Sequence, residues 1–387
     1  MPRILRFLTL LAALLLLCPL PTLAFGTAGE PQGTSLPPPV KQAPAVSAAA
    51  AVLYDPVSGN FLYLKNADER RAMASTTKIM TALVVLSHCR LEDTVKVPRE
   101  AVGIEGSSVY LFENEEITVK ALLYALLLNS ANDAATALAI HTAGSTAAFA
   151  TLMNEQAAAL GLKDTHFTNP HGLTDAAHYT TAKELALITA EALKNATFAE
   201  IVATKRYEVP QNGTEATRLF LNHNRLLRTY EGAVGVKTGF TKKSGRCLVS
   251  AATRNALTLI AVTLDAPSDW QDHRALLDFG FSEYEGFCPS PSPFTLPVVG
   301  GVKNEVTLCP VGHIALTLPK AHAEIQATLE APRFLFAGFE EGKQVGRLVY
   351  RMDGKVIATL PLETAFGVEK TEIHRSFFEK LKNLLIH

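Results

Sequence analysis

The chain has 387 residues, of which 48% are hydrophobic and 19% are charged. This length is enough to bury a substantial core and suggests about two domains. The 36 basic and 37 acidic residues leave a net charge of −1. A balance this close to zero gives no electrostatic basis for nucleic acid as a partner.

Residues 1–24 have the pattern of a signal peptide. Arg3 and Arg6 supply a positive start, an apolar stretch runs over 7–17, and small residues suited to cleavage end at Ala24. The apolar stretch is shorter than the ~20 residues that a membrane-spanning helix needs. We therefore expect an exported, extracytoplasmic protein.

The next 22 residues, 25–46, are rich in Pro, Gly, Ser and Thr and predict a flexible linker. Order is expected from about residue 47. Apolar runs at 51–54 and 61–64 flank a turn cluster that contains Ser58-Gly59-Asn60, and this arrangement predicts a hairpin.

Helical patterns dominate the middle of the chain, and residues 121–128 are apolar throughout, as in a buried helix. Strand patterns return over 234–264, ahead of a helix at 270–279. Strands at both ends of a helical block predict an α/β or α+β catalytic domain over 47–286.

The pattern changes after a proline-rich stretch at 289–293. Alternating segments follow, with the hairpin signal Asp353-Gly354 between two of them, so we expect a small all-β domain over 294–368. Residues 371–387 place apolar side chains on one face and charged ones on the other. This amphipathic pattern predicts a terminal helix, which either packs on the β domain or lies on a membrane surface.

Four cysteines follow the leader, at irregular spacing: Cys89, Cys247, Cys288 and Cys309. Neither a disulfide scaffold nor a zinc knuckle is indicated. We expect free, mostly buried thiols, with a Cys288–Cys309 bridge as the alternative.

The single Ser-x-x-Lys of the chain is Ser75-Thr76-Thr77-Lys78, at the start of an apolar helical stretch. At spacing i, i+3 on a helix, the hydroxyl and the amine share one face, as a nucleophile and its base must. Taken alone, the pattern fits better a helix capped by Ser75 with an exposed Lys78.

Two further motifs follow. Ser130-Ala131-Asn132 interrupts two helical stretches, although Ser58-Gly59-Asn60 shows that Ser-x-Asn also occurs in ordinary turns. The single Lys-Thr-Gly, Lys237-Thr238-Gly239, ends a strand pattern. A lysine and a hydroxyl on a strand edge suit a substrate carboxylate, and a glycine lets backbones approach closely.

Together the three motifs are far more specific than any one alone, because their order, spacing and predicted structural positions agree. Ser-x-x-Lys, Ser-x-Asn and Lys-Thr-Gly mark β-lactamases and penicillin-binding proteins. The stretches 74–81, 129–135, 169–173 and 237–241 resemble those of the low-molecular-mass D-Ala-D-Ala carboxypeptidases of peptidase family S11. The resemblance is close over 48–285 and extends to the rest in layout. It implies a β-lactamase/transpeptidase-like catalytic domain. Val234 departs from the pattern, because relatives often carry an acidic residue there.

The resemblance implies catalytic roles for three residues: Ser75 as the acylated nucleophile, Lys78 as its base and Ser130 as a proton relay. It implies substrate binding by five other residues. It also implies an oxyanion hole formed by the backbone N–H groups of Ser75 and Phe240. The five are Asn132, Lys237, Thr238, Gly239 and Phe240.

The reaction so implied removes the terminal D-Ala from peptidoglycan stem peptides, with no metal or other cofactor. β-Lactam antibiotics would be covalent inhibitors. The helix at 371–387 would hold the enzyme to the outer face of the cytoplasmic membrane.

Three alternatives remain at this stage. A class A β-lactamase needs a glutamate about 35 residues past Ser-x-Asn, and residues 162–169 contain none. A zinc peptidase could use His171, Asp175 and His178. These residues lie in a glycine-containing loop and lack the sequence surroundings expected of a third zinc ligand. A non-catalytic cell-wall or sporulation scaffold would have no need of Ser75 and Lys78.

Overall fold

The computed structural model describes residues 42–210 and 217–371. The predicted leader, the predicted linker up to residue 41 and the predicted terminal helix from residue 372 lie outside these residues. The described chain divides into two units. The first runs to Arg254 and resumes over Thr258–Ser282, and the second takes in Asn255–Leu257 and everything from Glu283 onward.

The first unit holds a five-stranded sheet in the order β2-β1-β9-β8-β7, with short two-stranded pairs β3–β4 and β5–β6. The strands are β1 Ala50–Asp55, β2 Asn60–Lys65, β3 Thr94–Lys96, β4 Glu116–Thr118, β5 Arg206–Pro210, β6 Thr217–Leu221, β7 Ala233–Thr241, β8 Gly245–Arg254 and β9 Leu257–Leu264. β1 pairs antiparallel with both β2 and β9, and β7 pairs antiparallel with β8. Among the described residues, β7 is therefore an edge strand, which pairs with another strand on one side only.

The helices of this unit lie mostly between β2 and β7 in the chain. They are α1 Lys78–His88, α2 Val119–Leu128, α3 Asn132–Ala143, α4 Thr146–Ala159, α5 Ala182–Leu193, α6 Ala196–Ala203, α7 Leu226–Thr229 and α8 Asp269–Glu283. Short 3-10 turns cover Ala74–Thr77 and Arg99–Ala101. The apolar run predicted as a buried helix is α2, in which every residue but Lys120 is buried.

Side chains on both faces of the sheet are buried under helices. Val52 and Ile260 join one large apolar cluster with the central helices. On the other face α8 lies so close that a methyl group at Gly280 would come within 2.4 Å of Leu259 and 2.8 Å of Leu53. The result is an α/β unit whose middle strands are inaccessible to solvent, as their continuous apolar runs require.

The predicted first hairpin is present as β1 and β2. Its turn contains Ser58-Gly59-Asn60, where Gly59 has a φ of 73° and its N–H donates to the Asp55 carbonyl. The Asp55 carboxylate also accepts from the backbone N–H of Val57 at 2.9 Å. This Ser-x-Asn is thus an ordinary turn, stabilised by local side-chain to backbone bonds.

The second unit is built from strands. They are β10 Tyr284–Phe287, β11 Phe294–Val299, β12 Glu305–Pro310, β13 Leu316–Pro319, β14 Gln326–Glu330, β15 Leu335–Phe336, β16 Gln344–Met352 and β17 Lys355–Thr364. Six form a sheet in the order β14-β16-β17-β12-β11-β15, and β10 pairs with β13. β16 and β17 join through Asp353-Gly354, both at positive φ, as the hairpin signal predicts.

The four cysteines after the leader are free thiols, as expected. The expectation that most of them are buried is wrong. Cys247 is buried, whereas Cys89 and Cys309 are partly exposed and Cys288 is exposed. Cys288 and Cys309 lie in the strand-built unit, where short strands leave many side chains half covered.

Within the described ranges, no helix is both long enough and apolar enough to cross a bilayer.

Candidate active site

Ser75 lies in a tight turn that opens helix α1. The turn, Ala74–Thr77, is 3-10, and α1 proper begins at Lys78. Ala74 has a φ of 49°, an unfavourable left-handed conformation for a residue with a Cβ. Ser75 is partly exposed between buried neighbours. It is not the helix cap, because the caps of the two segments are Met73 and Thr77, so the capping alternative does not explain this serine.

The Lys78 amine is fully buried and points at the serine. Its Nζ lies 3.0 Å from Ser75 Oγ, 2.6 Å from Asn132 Oδ1 and 2.7 Å from the carbonyl oxygen of His171. The alternative of an exposed Lys78 is therefore wrong.

The pKa of Lys78 is lowered well below its ordinary value. Burial is the largest cause, since it disfavours the charged form, and the positive charge of Lys237 acts in the same direction. The Asp133 carboxylate opposes both by favouring the charged amine. The site thus holds a lysine that loses its proton more readily than one in water.

Asn132 begins α3 and fixes one wall of the site. Its Nδ2 donates to the Glu105 carbonyl at 2.6 Å, which leaves Oδ1 turned toward Lys78. Its backbone N–H donates to the Ser107 carbonyl at 2.7 Å. The side chain is therefore held from both ends, and its orientation does not depend on a substrate.

The neighbouring carboxylate, Asp133, is buried and anchors the same loop. It accepts from Ser108 Oγ at 2.6 Å and from the backbone N–H groups of Val109 and Leu111, each at 3.1 Å. These three donors fix the position of the buried carboxylate within the loop. Asp133 thus positions the loop that Asn132 contacts.

Ser130 lies between α2 and α3 and is buried, with only 5% of its surface exposed. Its φ of 59° is left-handed, a conformation that costs free energy for serine. The backbone N–H of Ala131 donates to the Ala125 carbonyl, which ends α2 just before the motif. Ser130 and Asn132 are thus both buried at the junction between the two helices.

The Lys-Thr-Gly motif lies on the edge strand β7. Lys237 is buried, its Nζ donates to the Thr238 carbonyl at 2.8 Å, and burial lowers its pKa to about 7. Gly239 faces the turn at Ser75, and a Cβ on it would stand 3.0 Å from the Ser75 nitrogen. Phe240, the next residue, has 63% of its surface exposed.

A loop at 169–173 closes the site behind Ser75. A Cβ on Gly172, whose φ is 88°, would lie 1.9 Å from the Ala74 carbonyl oxygen. The Asn169 side chain holds the loop by accepting from the N–H of Gly172 at 2.7 Å. Glycine is therefore required here, both for its conformation and for the contact with the residue before Ser75.

The histidines of the zinc alternative have protein partners. His178 Nε2 is 2.7 Å from Thr77 Oγ1, and Nδ1 accepts from the Thr168 N–H at 3.0 Å. Burial is the largest cause that lowers the pKa of His178 to about 4 and that of His171 to about 3. In the residues described, no group of three or more His, Cys, Asp or Glu side chains is arranged to hold a metal ion.

Sequence reasoning missed several positioning residues. Asp133 stood inside the matched Ser-x-Asn stretch and Gly172 inside the matched 169–173 stretch, but neither had been given a role. The sequence signals that could have identified them are an acidic residue directly after the Ser-x-Asn motif and a glycine within a polar loop. The His171 carbonyl carries no such signal, because a backbone acceptor has no residue type.

The clash at Gly172 generates a prediction with a matched control. We expect Gly172→Ala to slow acylation of Ser75 by benzylpenicillin about tenfold or more, because the new methyl group displaces the Ala74 carbonyl. Gly103 has a similar φ of 75° but open space around its Cα, so Gly103→Ala should keep the wild-type rate. Acylation is measured by rapid quench and mass spectrometry. Equal rates in the two variants would show that the contact does not position Ser75.

Comparison with known proteins identifies the family. The model of the D-alanyl-D-alanine carboxypeptidase family, peptidase S11, matches residues 38–268. The D-alanyl-D-alanine carboxypeptidase DacF of Bacillus subtilis is 32% identical over 336 residues, which span 84% of this chain and 86% of the relative. The D-alanyl-D-alanine carboxypeptidase of Streptomyces sp. K15 is 38% identical over 279 residues, or 67% of this chain and 94% of the relative.

Solved structures agree. That of penicillin binding protein 5 from Haemophilus influenzae matches with a TM-score of 0.64 and 31% identity, over 85% of this chain and all of the other. The DD-transpeptidase of Streptomyces K15 matches with a TM-score of 0.59 and 36% identity, over 62% of this chain and 100% of the other. The predicted fold class, a mixed catalytic domain with a separate sheet-rich region, is confirmed, with the terminal helix outside the described residues. The chain belongs to the serine-type D-alanyl-D-alanine carboxypeptidases of peptidase family S11.

Proposed function

We propose that this chain removes the terminal D-Ala from D-Ala-D-Ala stem peptides of peptidoglycan through an acyl-enzyme on Ser75. The observation that carries the proposal is the position of the Lys78 amine, 3.0 Å from Ser75 Oγ and bonded to two other oxygens. Membership of family S11 supports the same reaction and its inhibition by β-lactams.

The partners of Lys78 suit a neutral amine that acts as a base. The Asn132 side-chain oxygen and the His171 carbonyl can only accept hydrogen bonds, and a neutral amine has two N–H groups for them. Its lone pair is then left for the hydroxyl hydrogen of Ser75. The amine would take that proton as Oγ attacks the carbonyl carbon of the penultimate D-Ala.

Burial lowers the pKa of Lys78 in the direction that this role needs. A free lysine titrates near 10.4, so a base at neutral pH needs a decrease of about 3 units, or ~4 kcal/mol. Complete burial can shift a lysine by this amount. Lys78 has no exposed surface, and Lys237 adds a second positive charge nearby.

The other motif residues are assigned to proton transfer and to substrate binding. We assign to Ser130 the transfer of the proton from Lys78 to the leaving amine as the C–N bond breaks. Asn132 would hold the peptide backbone of the substrate. Lys237 and Thr238, on the free edge of β7, would bind the terminal carboxylate.

The negative charge that develops on the carbonyl oxygen needs donors. We assign them to the backbone N–H groups of Ser75 and Phe240. The closeness of Gly239 to the Ser75 nitrogen supports this, because it leaves the turn and the strand next to each other. One donor of this kind typically changes the rate by ~10²–10³.

Hydrolysis of the acyl-enzyme separates this function from that of a β-lactamase. The loop at 162–169 is held by Glu184, whose carboxylate accepts from the N–H of Lys163 at 2.8 Å and of Asp164 at 3.0 Å. Residues 162–169 contain no glutamate that could activate water as in class A β-lactamases. We therefore infer that a β-lactam acyl group would be lost slowly, so that penicillin inhibits the enzyme.

We propose an extracytoplasmic location on the outer face of the cytoplasmic membrane. The supporting features are the leader at 1–24, the linker at 25–46 and the amphipathic segment at 371–387. The catalytic domain would cover 47–286 and the β domain 294–368. The β domain would then position the catalytic domain relative to the wall.

The proposed mechanism is tested by release of D-Ala from diacetyl-Lys-D-Ala-D-Ala. We expect Ser75→Ala and Lys78→Arg each to lower kcat at least ~10³-fold, because arginine keeps the charge but cannot act as a base. Ser58→Ala, in the hairpin Ser-x-Asn, is the matched control and should retain full activity. Activity that survives Ser75→Ala and is abolished by a chelator would instead support the zinc alternative.

The lowered pKa of Lys237 predicts the pH dependence of kcat/KM. Lys78 must be neutral, so activity rises with pH at the acidic end. Lys237 must be charged to bind a carboxylate, so activity falls above its pKa of about 7. Lys237→Arg should remove the falling limb up to about pH 10, because guanidinium stays protonated. The exposed Lys242→Arg is the control. A falling limb that persists in Lys237→Arg would contradict this assignment.

A further inference from the structure

Four apolar side chains face water at one end of the six-stranded sheet. The exposed fractions are 48% for Val299, 63% for Val302, 45% for Phe334 and 71% for Phe336. We call these residues the aromatic edge. Single exposed apolar residues are common, but adjacent ones that include two phenylalanines mark a surface for an apolar partner.

Strand register explains why these side chains point outward together. β11 and β15 pair in parallel, with Val299 opposite Phe336. Their chain neighbours Val298 and Ala337 point into the core and are each only 6% exposed. Since side chains alternate along a strand, Val299 and Phe336 share the outer face.

The two phenylalanines form a fixed pair. The rings of Phe334 and Phe336 stand edge to face, with centroids 5.3 Å apart and planes at 88°. Such a pair is preorganised, so that binding it in an apolar phase would restrict few additional rotamers.

The described chain ends beside the aromatic edge. The backbone N–H of Thr371 donates to the Gly300 carbonyl at 2.9 Å, and Val302 donates to Glu369 at 3.1 Å. Gly300 and Val302 frame the turn that follows β11. The last described residue, Thr371, therefore lies next to the residue that follows Val299.

Positive charges border the same region. Lys303, Arg333 and Lys370 are exposed and are next in sequence to members of the aromatic edge or to the last described residue, and the exposed carboxylates of Glu305 and Glu369 lie among them. The Lys303 ammonium lies 3.9 Å from the ring centre of Phe366. Basic side chains around exposed aromatic rings match a bilayer surface with anionic headgroups.

We propose that the aromatic edge is a second membrane contact, which enters the headgroup region of an anionic bilayer beside the terminal segment. The proposal rests on the membrane location given above and adds the β domain to it. Two weak contacts on one molecule hold far better than either does alone, since the second one binds at a high effective concentration.

Vesicle binding of the processed chain, residues 25–387, tests the proposal. The leader is left out because its own apolar stretch would bind lipid. The vesicles contain equal parts of phosphatidylglycerol and phosphatidylethanolamine. We expect Phe334→Ser with Phe336→Ser to lower the partition coefficient about tenfold or more in co-sedimentation. The control is Leu329→Ser with Val356→Ser, which removes exposed apolar side chains elsewhere in the same sheet and should leave partition unchanged.

A second double variant, Phe377→Ser with Leu381→Ser, weakens the terminal segment alone. If it loses partition while the aromatic-edge variant keeps it, the terminal anchor stands and the second contact is wrong. If the aromatic-edge variant binds lipid more strongly, that edge covers the terminal segment rather than the bilayer, which also overturns the proposal. If the unaltered chain does not bind vesicles, the membrane location itself fails. Acylation by benzylpenicillin verifies that each variant is folded.

A fluorescence measurement checks directly whether the aromatic edge inserts into the bilayer. The chain has one tryptophan, Trp270, so Phe336→Trp adds a single second reporter. We expect vesicles with brominated acyl chains to quench the added fluorescence and to leave the Trp270 signal of the unaltered chain unchanged. Equal quenching of the two proteins would overturn the proposal.

Discussion

The fully buried amine of Lys78 is the constraint on which the catalytic unit depends. A lysine in a dry site is stable only if its hydrogen-bonding groups have partners. Here the partners are Ser75, Asn132 and the His171 carbonyl, from three separate parts of the chain. To bring them together, the turn at Ser75 takes a left-handed residue at Ala74, and the loop behind it needs glycine at position 172. The hydrogen bonds of this one amine therefore account for much of the arrangement of the site.

The sequence predicted this site to a useful depth because the chemistry needs particular residue types at short spacing. Ser75 and Lys78 are one helical turn apart, and the family motifs supplied the link between distant segments. The left-handed turn at Ala74 and the contact of Gly172 were not predictable in the same way. They arise from packing between segments about 100 residues apart, which leaves no periodic signal in either segment. The expectation of mostly buried cysteines failed for Cys89 at the end of α1, Cys288 just past β10 and Cys309 in β12, because burial there depends on which neighbouring segments cover each position.

The two units use their residues for different purposes. The first buries charged and polar groups, including Lys78, Lys237 and Asp133, where a low dielectric strengthens their effects on one another. The second has a modest apolar core and displays apolar side chains along one edge. This contrast is what the proposed functions require. Acyl transfer needs a rigid, water-poor site, whereas attachment to a bilayer needs apolar surface that no other part of the described chain covers.

The most direct test of the account is mass spectrometry of the intact protein and of its peptides after treatment with benzylpenicillin. The account predicts one added antibiotic mass per chain, on the peptide that contains Ser75, and an adduct that persists because the acyl-enzyme is hydrolysed slowly. Lys78→Arg should form the adduct far more slowly. An adduct on another residue, or rapid turnover of the antibiotic without an adduct, would contradict the central claim that Ser75 is the nucleophile of a penicillin-sensitive carboxypeptidase.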